Sequence, residues 1–323
     1  MNKTYTPPFS ISHDILNLVA EITETIGRIS AVTMPLHLRK NNKIRSVYSS
    51  LAIENNSLSV EQVSAIIEGK KVIGLKNEIT EVKNAYKCYE LISDLEPTDI
   101  KDLLKSHQIM MLDLVDGAGY FRKGGVAVYK GDEVVHMAPP ANKVPELIER
   151  LFIWLKEASI HPLIASCVFH YEFEFIHPFA DGNGRMGRFW QSLILSKWNP
   201  IFAYIPIETV IYDNQKEYYD VLKTADETAD STPFIEFLLK AIRKALLSFS
   251  SDIPLTSEHN EQIQKLLKVL GRDVLSATQI MKKLKLKNKA NFRQNYLNPS
   301  IQANLIAPTS DIPNNPRQRY RKV

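Results

Sequence analysis

The sequence predicts a mainly α-helical protein with one β-hairpin and a small C-terminal domain of different character. Three observations carry this. Apolar residues recur at helical spacing through nearly every long segment. Only residues 126–137 carry two β-prone runs around a turn signal. The charge also changes sign along the chain: of 323 residues, His259–Val323 hold 13 Lys/Arg against 3 Asp/Glu, about +10, whereas the first 258 sum to about −6. Such asymmetry marks a boundary and points to an acidic or nucleic-acid partner for the last part.

The elements follow in order. Ile11 to Val32 places Ile15, Leu16, Val19, Ile22, Ile26 and Ile29 on an apolar stripe. Asn42 to Glu54 reads as a second helix. Ser59 with Gln62 three residues later is a capping pattern that opens a third. Glu78 to Leu95 is amphipathic and stops at Pro97; Thr98 opens the next helix, running to about Leu114, before Gly117 and Gly119 break the chain. Val126 to Met137 flanks Lys130-Gly131-Asp132 with β-prone runs. A lone hairpin is marginal, so it must lie on something. Apolar helical runs at Leu163–Phe175 and Phe189–Trp198 bracket a polar loop. Glu217 to Ala229 is helical, with Tyr219 and Asp226 seven apart on one face. Pro233 opens a helix to about Phe249, and Ser248–Pro254 reads as a linker. Beyond Asn260 the pattern is helix, helix from Ser276 to about Leu286, helix from Lys289 to Gln302, then a basic wing over Pro308–Arg321. It looks like a winged helix-turn-helix. Three parts result: a helical region 1–110, a core 111–250 and a winged-helix-like domain 255–323.

Composition bounds the setting. Hydrophobic content of 44% and charged content of 24% fit a globular protein with a sizeable core. No apolar run of about 18 residues is present, so no spanning helix and no membrane partner are expected. Met1 to Pro8 lacks the apolar stretch of a secretion signal. Cys88 and Cys167 are isolated among apolar neighbours and read as reduced core residues of a cytoplasmic protein.

The most informative stretch is His177-Pro178-Phe179-Ala180-Asp181-Gly182-Asn183-Gly184-Arg185-Met186-Gly187-Arg188, a tight loop feeding a helix that starts near Asn183. A helix N-terminus preceded by glycines offers unpaired N–H groups to an anion. Arg185 and Arg188 share the face of the first turn, where cations oppose the helix dipole. That cost makes sense if a polyphosphate lies between them. An ordinary capping loop with a buried histidine is the plainer alternative.

These residues resemble the signature of the Fic family, His-x-Phe-x-Asp/Glu-Gly-Asn-Gly-Arg-x-x-Arg, and match every fixed position. The resemblance extends over about residues 40–250. It implies a Fic-type helical core with a β-hairpin flap, and an ATP-dependent protein adenylyltransferase that moves AMP onto a Ser, Thr or Tyr hydroxyl of a target protein. His177 would be the general base and Asp181 the ligand of Mg²⁺ or Mn²⁺. Gly182, Asn183 and Gly184 would cradle phosphate, with Asn183 adding a side-chain donor. Arg185 would hold the β-phosphate and Arg188 the γ-phosphate. Tyr219 and Asp226 match positions that contact adenine, with aspartate where some relatives carry asparagine. The flap residues Val126, Val128, Val135, His136 and Met137 would dock the target segment. Phosphorylating relatives carry Lys where this chain has Gly184, which favours AMP transfer.

Ser50-Leu51-Ala52-Ile53-Glu54-Asn55 is similar to the inhibitory motif of the family, Ser/Thr-x-x-x-Glu-Gly/Asn. By that resemblance Ser50 and Glu54 form a brake, with Glu54 on Arg188 in the place of the γ-phosphate. A subunit contact in a homodimer could relieve it, and the protein itself could be a target. The competing class is a DNA-binding regulator with a nucleotide-sensing or relic Fic site. For 255–323, DNA binding and protein contact through a solvated helical bundle both stay open.

Overall fold

The structure is a computed structural model that describes residues 5–29, 36–130, 133–252, 261–271, 273–302, 305–310 and 318–323. It is helical almost throughout. In chain order the helices are α1 (His13–Ile29), α2 (Leu36–Ile53), α3 (Val60–Ile67), α4 (Lys76–Glu90) and α5 (Ile100–Met110). After the hairpin β1 (Ala127–Lys130) and β2 (Glu133–Met137) come α6 (Val144–Glu157), α7 (Pro162–Ile176), α8 (Asn183–Trp198), α9 (Ile207–Asp213), α10 (Gln215–Thr228) and α11 (Thr232–Asp252). The last part runs α12 (Glu261–Leu270), β3 (Leu275–Ser276), α13 (Ala277–Lys283), α14 (Lys289–Phe292), α15 (Asn298–Gln302), β4 (Ile306–Pro308) and β5 (Arg319–Lys322). A π-helical turn, Arg293–Leu297, joins α14 to α15.

Two compact units result, Met1–Ile26 with Lys40–Leu247, and Gly27–Arg39 with Ser248–Val323. This grouping differs from the three-part reading, because the helices before residue 110 share their core with those after it. Of the expected linker Ser248–Pro254, residues up to Asp252 are helical, and 253–254 lie outside the described residues. Within α1, Ile15, Ile22 and Ile26 are buried as expected, but Leu16 is exposed, since the stripe advances through Leu18 instead.

The larger unit is built around α7 and α8. Every residue of α7 from Leu163 to Phe173 is buried. A helix apolar on all sides must be covered on all sides. Phe169 and Trp190 both pack on Phe152 of α6, backed by Phe173 and Phe189, and Trp190 donates its Nε1–H to the Pro97 carbonyl at 3.1 Å. Buried Glu208 on α9 ties four helices together: it accepts from Ser46 on α2 (2.7 Å), Tyr89 on α4 (2.6 Å) and Ser192 on α8 (3.0 Å). Three donors satisfy a carboxylate that could not otherwise be buried. Capping follows the sequence at α3, where Ser59 and Gln62 bond reciprocally. It departs at α5, where Asp99 rather than Thr98 is the cap.

The hairpin strands are antiparallel, with Val128 opposite His136 and a bulge between Val128 and Tyr129. Its expected turn residues Gly131 and Asp132 lie outside the described residues, as do the side chains of 127–136.

The smaller unit has a three-stranded antiparallel sheet in the order β3-β5-β4. Leu266, Leu270, Ile280, Phe292, Leu297 and Ile306 form its core. Arg317, expected on the wing, lies outside the described residues.

Candidate active site

The loop between α7 and α8 depends on two left-handed residues. His177 caps α7 at φ 49°, and its N–H still bonds the Phe173 carbonyl at 2.9 Å. Gly182 precedes α8 at φ 83°, where glycine avoids a steric cost. A non-glycine residue in this region costs of the order of 1–3 kcal/mol and persists only where its surroundings hold it. Buried Arg122 is what holds it. Its guanidinium donates to the carbonyls of His177 (2.7 Å), Ile176 (3.3 Å), Gly124 (2.9 Å) and Pro139 (2.6 Å). Gly124 and Pro139 flank the hairpin, so one side chain clamps both feet of the flap and the loop below it. Arg122 was not singled out from the sequence. An isolated arginine after Tyr120-Phe121 carries no pattern that reports these carbonyls.

The Asn183 side chain corrects an expectation. Its Oδ1 accepts from the Phe179 N–H at 2.8 Å and its Nδ2 donates to the Phe179 carbonyl at 2.9 Å. It therefore closes the loop and leaves only its backbone N–H for an anion. Phe179 is fully buried and stacks on His107 with ring centroids 3.6 Å apart. His107, which carried no signal in the sequence, accepts from the Gly119 N–H on Nδ1 at 2.9 Å. Its Nε2–H then faces the Asp181 carbonyl at 3.0 Å. Burial pushes its pKa down to about 4.

His177 places its Nδ1 3.3 Å from the Glu174 carbonyl. A carbonyl only accepts, so Nδ1 carries the proton and Nε2 keeps its lone pair. That is the tautomer a general base requires.

The two arginines are buried and paired. Arg185 contacts Glu81 Oε1 at 3.1 Å and Asp181 Oδ1 at 3.3 Å. Arg188, 1% exposed, donates to Glu54 Oε1 at 2.7 Å, Ser50 Oγ at 3.1 Å and the Ser50 carbonyl at 2.9 Å. Burial works against its charge, but the Glu54 carboxylate together with Tyr218 and Tyr219 holds the guanidinium above its ordinary pKa. Glu54 sits just past the end of α2, on a turn closed by Asn55 at φ 66° and by the Asn56 N–H on the Leu51 carbonyl. A Cβ at Gly184 would collide with Glu54 Oε1 and stand 3.0 Å from Arg188 Nη1. With the carboxylate in this place, position 184 has no room for a Cβ.

A cleft of about 570 Å³ gathers His177, Gly184, Arg188, Glu54, Tyr219 and Asp226. Tyr219 is 41% exposed, while Tyr218 is buried beneath with its hydroxyl 3.1 Å from His170 Nε2. His170 in turn meets Gln191 Oε1 at 2.8 Å, and burial pushes its pKa down to about 3. Asp226 accepts from the Tyr171 hydroxyl at 3.0 Å. The cleft wall does not include Asp181, Gly182, Asn183 or Arg185. Arg185 is turned to Glu81 and Asp181, and Asn183 to Phe179. The second hairpin strand runs beside α10, which carries Tyr219 and Asp226. Val126 is half-buried and Met137 is 69% exposed. The side chains of Val128, Val135 and His136 lie outside the described residues.

Asp181 is the candidate metal ligand. Its side chain is 59% exposed and accepts from the Gly182 N–H at 2.5 Å. Among the described residues no three His, Cys, Asp or Glu side chains form a protein-only cage. One exposed carboxylate still fits Mg²⁺, which takes most of its ligands from phosphate and water.

Comparison with known proteins gives the chain its relatives. The Fic/DOC family model matches residues 97–195, and a model described as "Filamentation induced by cAMP protein Fic-like, C-terminal domain" matches residues 261–322. The chain is 49% identical to a Fic family protein from Desulfovibrio desulfuricans G20 of known crystal structure, covering 99% of this chain and 98% of that one with a TM-score of 0.75. It shares its fold with Fic-1 from C. elegans, at 24% identity, a TM-score of 0.63 and coverage of 73% and 72%. It is 31% identical over 231 residues to "Protein adenylyltransferase Fic" of Drosophila willistoni, covering 67% of this chain and 44% of that protein. The chain thus spans less than half the length of that curated relative.

Two outcomes follow from the contacts. Gly184→Ala should cost roughly 1–3 kcal/mol, because the methyl and the Glu54 carboxylate contend for one space. In a Glu54→Gly chain that cost should shrink by about 1 kcal/mol or more, read from urea unfolding of the four chains. Strictly additive costs would mean that the two do not touch. The second concerns pH. His107 titrates near its ordinary value when unfolded and at about 4 when folded, so its neutral form is favoured by the fold. The stability it contributes is complete above about pH 6.5 and is lost, by roughly 3 kcal/mol at most, as pH falls through about 4. His170 adds in the same direction. Urea midpoints between about pH 7 and about pH 4.5 should fall less steeply for His107→Gln; identical slopes in the two chains would rule out His107 as a source.

Proposed function

Because this chain belongs to the Fic/DOC family, we propose that it transfers AMP from ATP to a hydroxyl side chain of a target protein and that Glu54 restrains the reaction. One observation carries the proposal. His177, with its Nε2 lone pair kept by the Glu174 carbonyl, shares a cleft with Arg188, whose buried charge is matched by a carboxylate that a phosphate could replace. The curated relatives named protein adenylyltransferase Fic support the same reading.

The chemistry follows from these groups. A Ser, Thr or Tyr hydroxyl gives its proton to His177 Nε2 as its oxygen bonds the α-phosphorus of ATP. The bond from that phosphorus to the bridging oxygen of the β-phosphate breaks, and pyrophosphate leaves. Backbone N–H groups of Asn183, Gly184 and Arg185 at the start of α8 face anionic oxygen. Arg185 holds the β-phosphate and Arg188 the γ-phosphate, each with a planar fork of donors. Asp181 would hold Mg²⁺ or Mn²⁺, which when bound would supply positive charge beside the leaving pyrophosphate. Tyr219 and Asp226 border the adenine. The hairpin offers a strand to which a target segment adds, aligned through Val126, Val128, Val135, His136 and Met137. Self-modification belongs to the same chemistry, and relief of the restraint through a homodimer contact would suit it.

The restraint is competition for one cation. With Glu54 on Arg188 the γ-phosphate has no seat, so ATP cannot present its α-phosphate in line with the incoming oxygen. Two buried free thiols, Cys88 and Cys167, both pushed up to about 12 by burial, suit a reducing cytoplasm. Among the described residues no helix is long and apolar enough to cross a membrane. An intact histidine, carboxylate and arginine pair favour an enzyme over a regulator with a relic site.

The test uses α-labelled ATP. Glu54→Gly should raise labelling of the protein and of bulk extract by about two orders of magnitude, in keeping with the roughly 3–5 kcal/mol of a broken buried pair. In that chain His177→Ala should lower labelling about 10²–10⁴-fold while ATP still binds. Equal labelling by wild type and Glu54→Gly would end the restraint, and undiminished labelling without His177 would end the mechanism.

A further inference from the structure

The smaller unit carries a surface that the transfer reaction does not use. Its order is α12, β3, α13, the helical stretch from α14 to α15, β4 and β5, with β5 between β3 and β4 in the sheet. Five residues separate α13 from α14. That is a helix-turn-helix followed by a two-stranded wing, the connectivity of a winged helix.

The stretch from Lys289 to Gln302 has two distinct sides. Phe292, Leu297 and Ser300 are buried in the unit's core. Lys289 and Arg293, one turn apart, are exposed, as are Asn291 and Asn295. The preceding turn adds exposed Lys285 and Lys287, and β5 adds exposed Arg319, Arg321 and Lys322. In residues 261–323, Asp273 is the one acid whose side chain is described, and Lys283 pairs with it at 3.3 Å. Cations at both ends of the motif therefore have no matching carboxylates nearby among the described residues.

The chemistry selects the partner. A helix about 10–12 Å across fits the major groove of B-form DNA, about 12 Å wide, whereas the deep narrow groove of an RNA duplex excludes it. A membrane would need large apolar side chains beside the cations, and in the described residues of 261–323 the exposed ones are Val274 and Val323. An acidic peptide would need a groove, and neither cleft found among the described residues is lined by these cations. We propose that this face binds duplex DNA, with the 289–302 helix in the major groove and the β5 cations on the flanking backbone. Lys285, Lys289, Arg293, Arg319 and Arg321 would each neutralise a phosphate, and Asn291 and Asn295 would face the base edges. The proposal is independent of the adenylyl-transfer reading, since no residue of the cleft takes part.

The experiment is fluorescence anisotropy of a labelled mixed-sequence duplex of about 30 base pairs titrated with full-length protein over a salt series. Binding should weaken linearly in a log–log plot with a slope of about −4 to −5, as expected for five phosphate contacts. Lys289→Ala with Arg293→Ala should weaken binding at least about tenfold at low salt and flatten the slope by about 2. Both residues are exposed, so the variant should keep its circular dichroism, and ATP labelling in the Glu54→Gly chain should be unchanged. Absence of salt-dependent binding would overturn the proposal, as would equal binding by the folded variant. Tighter binding to an RNA duplex or to anionic vesicles than to DNA would reassign the face and overturn it too.

Discussion

A guanidinium that is 1% exposed cannot remain without an anion. Arg188 lies in the wall of the cleft, on α8, and its burial constrains the groups packed around it. Taking such a charge out of water costs several kcal/mol unless a partner returns it. Here Ser50 and Glu54 are the partner. The turn that carries Glu54 to Arg188 follows the end of α2 at Ile53, with Asn55 at φ 66°. A phosphate carries the charge to meet the same demand, so under the proposed function carboxylate and nucleotide would compete for one guanidinium.

Much of this was legible in the sequence. The helices α7 and α8, read from continuous apolar runs, and the amphipathic α10 fell close to their expected bounds, because apolar content and its period report burial directly. His177, Gly184, Arg188, Tyr219 and Asp226 converge on one cleft, as the twelve-residue motif and the helical spacing implied. The Ser50–Glu54 pattern, weak alone, lands on the expected arginine. Helix ends were less secure. Asp99 displaced Thr98 as a cap, and α11 ran on through residues whose polarity suggested a linker. These are local choices that depend on neighbours far away in the chain.

The supporting residues were not legible. Arg122, His107, Glu81 and Glu208 hold the site through single polar side chains reaching across tens of residues. No period or motif records that a given arginine will meet the His177 carbonyl, or that Glu208 will collect three hydroxyls. Asn183 shows the converse. The motif marks it correctly as part of the loop, but its amide bonds Phe179 rather than facing the cleft. Its residue type suited both roles, and only the closed turn decides between them.

Glu81 divides its two oxygens between neighbours that otherwise do not meet. One takes the Asn56 amide, two residues beyond Glu54, at 2.8 Å; the other takes Arg185 at 3.1 Å. A displacement that lifts the 54–56 turn from Arg188 therefore also tugs on the anchor of Arg185. The paired cations are mechanically yoked, so engagement of the triphosphate should be concerted along its length rather than stepwise from one end.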